Sequence, residues 1–297
     1  MRTIITLLFL FFVPAVSSAN TVSIGGTEIV IPNPPGFVAV TPHTPQMARL
    51  RDLIEKFVAP PNELLIWFIP EESIPIVLKD ATPQFTRHFL IQTPQALAKA
   101  PTSVSHSYFL EMKEILKARQ DEMVKKAERF MSDLLESAKE EISEEYNVNL
   151  DASISQIVPF PVHEETNRTI AFSFLTKGKA NDEFGNPVPY GSASTSTAIH
   201  VKGKVLFLSS TAEETGLEWS RQISKQWADA VIAANPPDLQ SSLKESLPSA
   251  VTGTNWSRVV AGWAVVLIVS FIGGLILRSI NRRKAREQGA EQDDTSP

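Results

Sequence analysis

Alternating apolar and polar positions near the start of the chain predict a β-hairpin followed by a helix. Residues 21–24 and 27–31 alternate in this way and flank Gly25-Gly26. A two-glycine turn suits a hairpin because both turn positions need positive φ. Thr44 is a good N-cap, and Pro45 suits the first helical position. Apolar residues then recur three and four positions apart, which predicts a helix that a pair of prolines ends.

The middle of the chain predicts short strands and one long helix. Apolar runs at 64–69, 74–78 and 85–91 have lengths typical of strands and are separated by prolines. Residues 107–146 carry one apolar stripe at helical spacing, which predicts a single amphipathic helix or two helices in series. We interpret this segment as packed on the domain's own sheet. Self-association as a coiled coil is the alternative, although the apolar steps do not keep a regular heptad.

After residue 150 the apolar period changes to two, which predicts the larger part of a sheet. We expect strands at 153–158, 169–175, 195–201 and 205–210, with turns at 177–178 and 202–203. The polar segment 179–193 is expected to be a loop. Connections of that length are either functional or simply mobile, and if the domain has a binding edge this loop is the first candidate for it.

The last helix of the exported region has clear start and stop signals. Thr215 and Glu218 fit a capping box, and Asn235 followed by proline ends the helical pattern. Trp219 and Trp227 share one face of this helix. Each has a large apolar body to bury, so we expect them to anchor the core rather than to stack on a ligand.

Both ends of the chain carry topology signals. Residues 1–19 have a basic start, a short apolar run and small residues before Asn20, the pattern of a cleaved secretory signal. Residues 259–277 carry no charge and would make a helix of about 28 Å, close to the hydrocarbon thickness of a bilayer. The basic residues that follow predict a cytoplasmic C-terminus. The predicted organisation is a signal peptide at 1–19, an exported domain at 20–235, a tether at 236–255, a transmembrane helix at 256–278 and a cytoplasmic tail at 279–297.

Composition indicates where the protein is located and argues against one class of partner. The chain has no cysteine, which favours a bacterial periplasm, because domains exported by a eukaryotic route usually carry disulfides. The formal net charge is −5 and no basic stripe is present, so we expect no nucleic-acid partner. The prediction is a single-pass protein of the bacterial inner membrane with a periplasmic N-terminal domain.

The sequence carries no nucleophile elbow, P-loop, dinucleotide fingerprint or His-Glu-x-x-His. We therefore predict no catalytic, cofactor-binding or metal-binding residue, and no cofactor. The five histidines lie far apart. The nearest approach to a ligand cluster is His163-Glu164-Glu165, which we interpret as solvated polar surface. We interpret His200 as a histidine on the face of a sheet.

The order of predicted elements resembles the Mog1/PsbP-like α/β/α sandwich, in which helices cover both faces of a mostly antiparallel sheet. The residues that carry the resemblance are 29–32 with Pro35-Gly36-Phe37, and 201–207 leading into 217–235. The closing stretch is also similar to that of uncharacterised membrane-anchored bacterial envelope proteins. The resemblance implies an α+β domain of a fold whose members mostly bind or assemble with other proteins and mostly lack catalysis, although a fold by itself assigns no function.

Three functional hypotheses follow. The leading one is a membrane-anchored envelope protein whose exported domain is a binding or accessory module for a protein or a ligand. A protein partner could also dock on the small-residue face that Ser270 and Gly274 form in the membrane helix. The alternative is a membrane-tethered hydrolase or metalloenzyme with a site assembled from His163, Glu164 and His200. The third is a structural spacer that self-associates through the long helix.

Overall fold

The computed structural model describes residues 18–237, apart from 57, 59–61, 80–84, 100, 102, 123, 127, 130–131, 134, 137–151 and 182–185. The strands are β1 Ala19–Ile24, β2 Thr27–Pro32, β3 Phe37–Ala39, β4 Asn62–Pro70, β5 His88–Pro94, β6 Ala152–Pro159, β7 Glu164–Glu165, β8 Thr169–Asn181, β9 Pro187–Val201 and β10 Lys204–Glu213. The α-helices with assigned bounds are α1 Pro45–Glu55, α2 Ile74–Leu78, α3 Gln95–Lys99, α4 His106–Ala118 and α5 Leu217–Ala234.

One antiparallel sheet forms the centre of the fold. Its strands run in the order β3-β4-β5-β10-β9-β8-β6, and β7 pairs with β8. The hairpin of β1 and β2 is a separate two-stranded sheet. Helices lie against the large sheet, so the prediction of an α+β fold built on a mostly antiparallel sheet flanked by helices is confirmed.

Each face of the large sheet carries its own apolar core. On the first face, which we call the α4 face, Leu90, Phe172 and Phe207 pack with residues of α1 and α4. On the opposite face, the α5 face, Phe68, Phe89 and neighbouring strand residues pack with α5 and with the β1–β2 hairpin. A sheet buried on both sides has no solvent-facing polar side, which is why several strands read as nearly continuous apolar runs.

Two turns predicted from glycine are confirmed by their backbone angles. Gly25 and Gly26 have φ of 52° and 78° in the β1–β2 turn, and Lys202 and Gly203 have φ of 47° and 70° between β9 and β10. A pair of positive φ values matches the right-handed twist of the two strands that the turn connects. The glycines at these positions therefore fix the register of both hairpins.

The predicted start of α1 is confirmed, whereas the predicted capping box of α5 is wrong. The Thr44 side chain accepts a hydrogen bond from the Met47 amide, as an N-cap does. In α5 the N-cap is Gly216, which has no side chain to cap with. The reason is a 3₁₀ turn at Glu214–Gly216, which places Thr215 inside the turn that leads into the helix.

Two predicted strands differ from the observed elements. Residues 74–78 are not a strand but helix α2, with Pro75 in its first turn. Proline has a helical φ and no amide hydrogen, so the first turn of a helix tolerates it, and an apolar run this short does not distinguish strand from helix. The strand predicted at 85–91 begins three residues later, at His88, and extends to Pro94.

The predicted loop at 179–193 is mostly strand, so that prediction was wrong. Strands β8 and β9 form one long hairpin, in which Gly178 pairs with Tyr190 and Asn181 pairs with Pro187. The turn expected at 177–178 lies inside β8 for the same reason. Prolines fit here because β9 pairs with β10 only from Ser192 onward, so the preceding residues lie on a locally unpaired edge among the described strands.

The long helix predicted at 107–146 is interrupted. Helix α4 ends at Ala118, Arg119 forms a turn, and helical backbone resumes at residue 120 and occurs up to 136. Of the two predicted alternatives, the described part therefore agrees with two helices in series. Phe109, Met112 and Leu116 are buried in the core of the α4 face, which confirms for α4 that it packs on its own sheet. Residues 137–146 lie outside the described residues.

The two tryptophans of α5 differ in burial. Trp227 is buried, stacks edge-on against Phe68 and donates from its indole nitrogen to the Pro32 carbonyl at 2.8 Å, which confirms it as a core anchor. Trp219 is only partly buried, and the guanidinium of Arg87 lies 4.5 Å above its ring.

Most of the predicted topology signals lie outside the described residues. These comprise residues 1–17 of the predicted signal peptide, 238–255 of the tether, the predicted transmembrane helix and the predicted tail. Among the helices in the described part of residues 18–237, none combines the length and the apolar character that a bilayer span needs.

Candidate functional site

The two carboxylates of the predicted cluster His163-Glu164-Glu165 pair with lysines of different helices. Glu165 accepts a 2.8 Å hydrogen bond from Lys113 of α4, and this bond is the main cause that lowers the pKa of Glu165. Glu164 pairs at 2.9 Å with Lys225 of α5. Successive side chains of a strand point to opposite faces, so neighbours in sequence do not converge here.

His163 lies beside a serine on the α5 face. Its Nδ1 is 3.4 Å from the Ser173 hydroxyl, and its pKa is lowered by burial and by the nearby Arg221. This pair has the composition of a nucleophile and a base. However, Ser173 is fully buried, accepts a hydrogen bond from Arg221 and shares another with Thr195 at 3.0 Å. We therefore interpret Ser173 as a structural residue.

His200 lies on the other face of the sheet. It is buried, its Nε2 is 2.8 Å from the Val104 carbonyl, and its ring stacks on Phe109 of α4. The interpretation of His200 as a sheet-face histidine is confirmed. The alternative enzyme site is not assembled, because His163 and His200 lie on opposite sides of the sheet. In the part of the chain that the structure describes, no three His, Asp or Glu residues form a group that could hold a metal ion.

The buried hydroxyls of the α5 face are all in hydrogen bonds. Ser220 of α5 donates to Thr195 at 2.9 Å and exchanges hydrogen bonds with Ser210. Ser224 of α5 is 2.8 Å from the hydroxyl of Thr197. A hydroxyl removed from water needs such a partner, so α5 and the sheet are joined by polar pairs as well as by apolar packing.

The α4 face is different, because many of its buried polar groups have no hydrogen-bond partner in the described structure. Five of them lie on adjacent strands, and we call this group the polar floor; it consists of Trp67, His88, Gln92, Ser196 and Ser209. All five residues are at most 3% exposed. The hydroxyls of Thr176 and Ser192, farther along the same face, are also unpartnered.

Strand register places the five members side by side. Trp67 pairs with Leu90, Leu90 with Ser209, and Ser209 with Ser196, so one row crosses four strands. His88 and Gln92 flank Leu90 on β5, two residues away on each side and on the same face. At about 3.4 Å per residue and 4.8 Å per strand spacing, the polar floor extends roughly 14 Å in each direction.

Aromatic and aliphatic residues surround the polar floor. The Trp67 ring meets Phe85 edge-on at a centroid distance of 5.4 Å and His88 at 6.3 Å. Phe207 lies directly opposite Gln92. Phe109 of α4 belongs to the same buried cluster. The polar groups are therefore embedded in an apolar environment, where an unpaired donor or acceptor is costly.

The polar floor carries no charge near neutral pH. Burial lowers the pKa of His88 to about 4, which keeps its imidazole neutral. None of the five residues is acidic, and His88 is the single basic one. The Trp67 indole nitrogen is a donor, the Gln92 amide and the two hydroxyls both donate and accept, and neutral His88 has one donor and one acceptor. Such a set can bind and orient a ligand, and it lacks a charged group for acid–base chemistry.

The sequence analysis missed the polar floor. The signal was available, since His88 and Gln92 are polar positions in a strand otherwise made of apolar residues and threonine, and residues 192–197 are dominated by serine and threonine. Taken one strand at a time, these patterns do not show which polar residues meet on one face of the sheet. Only the pairing of β5, β10 and β9 shows that His88, Gln92, Ser196 and Ser209 share one buried face.

Comparison with known proteins gives a likeness of fold. No protein-family model matches the chain, and no curated protein matches it either. Among solved structures, the Ran-binding protein Mog1p of Saccharomyces cerevisiae is similar; the match covers 77% of this chain and 94% of that chain, with 13% identity and a TM-score of 0.23. This finding supports the resemblance to the Mog1 fold as a weak one. At this TM-score it transfers no residue and no partner to the chain.

Proposed function

We propose that the folded domain is a binding module for a small molecule, which it holds against the polar floor. The observation that supports this proposal is the contrast between the two faces of one sheet. Buried hydroxyls of the α5 face are paired, whereas Ser196, Ser209 and the other members of the polar floor on the α4 face are not.

The energetic argument concerns the free-energy cost of burying polar groups without hydrogen-bond partners. A buried donor or acceptor without a partner costs about 1–3 kcal/mol, and folded proteins contain only a few such groups per hundred residues. Here several of them lie on one contiguous surface of adjacent strands. A ligand that hydrogen-bonds to them would offset the cost, and its removal would leave the domain less stable.

The enzyme alternative has less support. Its residues are divided between the two faces of the sheet, and Ser173 beside His163 is fully buried and hydrogen-bonded to Arg221 and Thr195. The polar floor itself contains no carboxylate and no lysine. We therefore favour binding over catalysis as the role of the domain.

We further propose that this module is the periplasmic domain of a single-pass protein of the bacterial inner membrane, of the Mog1/PsbP-like α/β/α type. The support is the sequence: an export signal at 1–19, an uncharged segment at 259–277 and basic residues after it. Docking of a protein partner on the exported domain or on the Ser270 and Gly274 face is part of the same proposal. A reporter fused after Pro297 should be active only in the cytoplasm, and activity only on the outer side would contradict this topology.

The binding proposal can be tested by saturation-transfer NMR on the intact protein in lipid nanodiscs. The probes are three small neutral aromatics: phenol, indole and benzamide. We expect saturation transfer to at least one of them, and we expect Ser209→Leu to abolish it, because it replaces a hydroxyl of the polar floor with a larger apolar side chain. Thr197→Val, on the α5 face, is the matched control and should leave the signal unchanged. Equal signals from the Ser209→Leu variant and the unmodified protein would contradict the proposal.

A further inference from the structure

The polar floor combines three features that restrict what it can bind: an absence of charge, a mixture of donors and acceptors, and apolar residues between its polar groups. Each feature excludes a class of ligand. The inference drawn from them rests on the proposed function, since it specifies the ligand of the same site.

The absence of charge excludes ions. Trp67, Gln92, Ser196 and Ser209 are uncharged side chains, and His88 is neutral near pH 7 because burial lowers its pKa to about 4. The buried lysine in the core of this face, Lys113, is already engaged by Glu165 and by the Thr166 carbonyl. A carboxylate or ammonium group brought onto the polar floor would lose its hydration without gaining an opposite charge.

The mixture of donors and acceptors excludes a purely apolar ligand. The Trp67 indole nitrogen can only donate, so a complementary ligand needs an acceptor at that end of the row. Gln92 can donate and accept, and so can the Ser196 and Ser209 hydroxyls. A hydrocarbon placed here would bury these groups and leave every one of them unpartnered.

The apolar residues between the polar groups determine the shape. Leu90 stands between His88 and Gln92 along β5 and between Trp67 and Ser209 across the sheet. A ligand lying on this surface therefore needs an apolar centre over Leu90 and polar groups at its periphery. With about 14 Å between opposite edges of the polar floor, two or three fused rings fit its dimensions.

We infer that the ligand is an uncharged amphiphile with a flat ring body and hydrogen-bonding groups at its edge, which must include an acceptor. The polar floor discriminates against anionic, cationic and purely apolar molecules of the same shape. Because its atoms are shielded from solvent, the buried side chains that pack on this face must move for the ligand to enter.

Four probes of nearly equal shape test this inference: 2-naphthamide, 2-naphthoate, 2-naphthamidine and 2-ethylnaphthalene. They are neutral and polar, anionic, cationic and apolar, respectively, at pH 7. Binding to the intact protein in lipid nanodiscs is measured by titration calorimetry, with empty nanodiscs as the blank. We expect 2-naphthamide to bind at least tenfold more tightly than each of the other three.

Two variants identify the site. Gln92→Leu should remove the preference for 2-naphthamide over 2-ethylnaphthalene, because it deletes an amide that donates and accepts. Thr197→Val, on the opposite face, should preserve the order of the four affinities. If an ionic probe or 2-ethylnaphthalene binds as tightly as 2-naphthamide, the inferred ligand class is wrong while the binding function stands. If none of the four binds while phenol, indole or benzamide gives saturation transfer, the inference fails and the binding function stands; if no probe of either set binds, both fail.

Discussion

Ser209 of β10 lies directly opposite Ser196 of β9, yet neither hydroxyl has a hydrogen-bond partner in the described structure. On the other face of the same two strands, Ser210 and Thr195 are also opposite each other, and both bond to Ser220 of α5. The same kind of residue thus has opposite energetic roles one position apart. The effect of each hydroxyl on the free energy of unfolding can therefore be measured and compared.

Ser209→Ala should stabilise the protein in the absence of ligand. The substitution removes a buried hydroxyl without a partner, so we expect the free energy of unfolding to rise by about 1 kcal/mol. Ser220→Ala is the matched control: it removes a hydroxyl that bonds to Thr195 and Ser210, and we expect a loss of roughly 1–2 kcal/mol. Urea unfolding measures the change in the free energy of unfolding for both variants. A destabilised Ser209→Ala protein would indicate that this hydroxyl does have a partner.

His88 should make stability depend on pH in the acidic range. Its pKa is lowered from 6.5 to about 4 in the folded protein, so below pH 6.5 the unfolded chain binds a proton that the folded protein does not. The titration of His88 therefore leaves the free energy of unfolding unchanged above pH 6.5 and lowers it between pH 6.5 and pH 4. The expected loss is about 1.4 kcal/mol per pH unit, or roughly 3 kcal/mol in total.

The His88→Gln variant, which cannot titrate at this position, checks that prediction. Its free energy of unfolding should decline less steeply than that of the unmodified protein between pH 6.5 and 4. The two curves should run parallel at pH 7–8. Identical slopes over the acidic range would show that His88 is not the group responsible.

Glu165 should contribute more to stability than its neighbour Glu164. Glu165 partners Lys113, whose side chain is 5% exposed, whereas Glu164 partners Lys225, whose side chain is 51% exposed. Glu165→Gln leaves a buried ammonium without its carboxylate, and we expect a loss of roughly 1–3 kcal/mol. Glu164→Gln should cost less than about 1 kcal/mol, as exposed ion pairs usually do. Thermal unfolding at low and high salt would test the order, and equal losses would contradict it.

Asn235 should hold the end of α5 to the N-terminal hairpin. Its side chain accepts from the Val30 amide at 2.9 Å and donates to the Val30 and Val231 carbonyls at 2.7 and 2.8 Å. Asn235→Ala removes all three bonds, and we expect a loss of about 2 kcal/mol in chemical denaturation. Asp229→Ala, an exposed position on the same helix, should change stability by less than about 0.5 kcal/mol.

Local patterns predicted the parts of the fold that local forces determine. Gly25-Gly26 and Lys202-Gly203 both form turns with positive φ, a conformation that glycine adopts without strain, so both hairpins could be read from sequence. Thr44 caps α1 through an amide three residues away. The burial of Phe109, Met112 and Leu116 follows from their helical spacing.

Other elements could not be read in this way, because their structure depends on distant residues. Residues 74–78 have the composition of a strand but form α2. The segment 179–193 has the composition of a loop, yet most of it belongs to β8 and β9, which extend each other by pairing. A proline-containing segment becomes a strand here because its partner strand is already in place.

The sequence by itself determined the β1–β2 and β9–β10 hairpins, the N-cap of α1, the helical stripes and the overall α+β class, because each depends on residues a few positions apart. Tertiary structure alone decided which polar residues are buried and which of them have partners. Ser209 and Ser196 come from the β9–β10 hairpin, His88 and Gln92 come from β5 about a hundred residues earlier, and only strand order and register bring them onto one face. Whether a buried serine hydroxyl has a hydrogen-bond partner depends on which element packs over its face of the sheet. That element is α5 on one face, whereas α1 and α4 contribute to the core of the other.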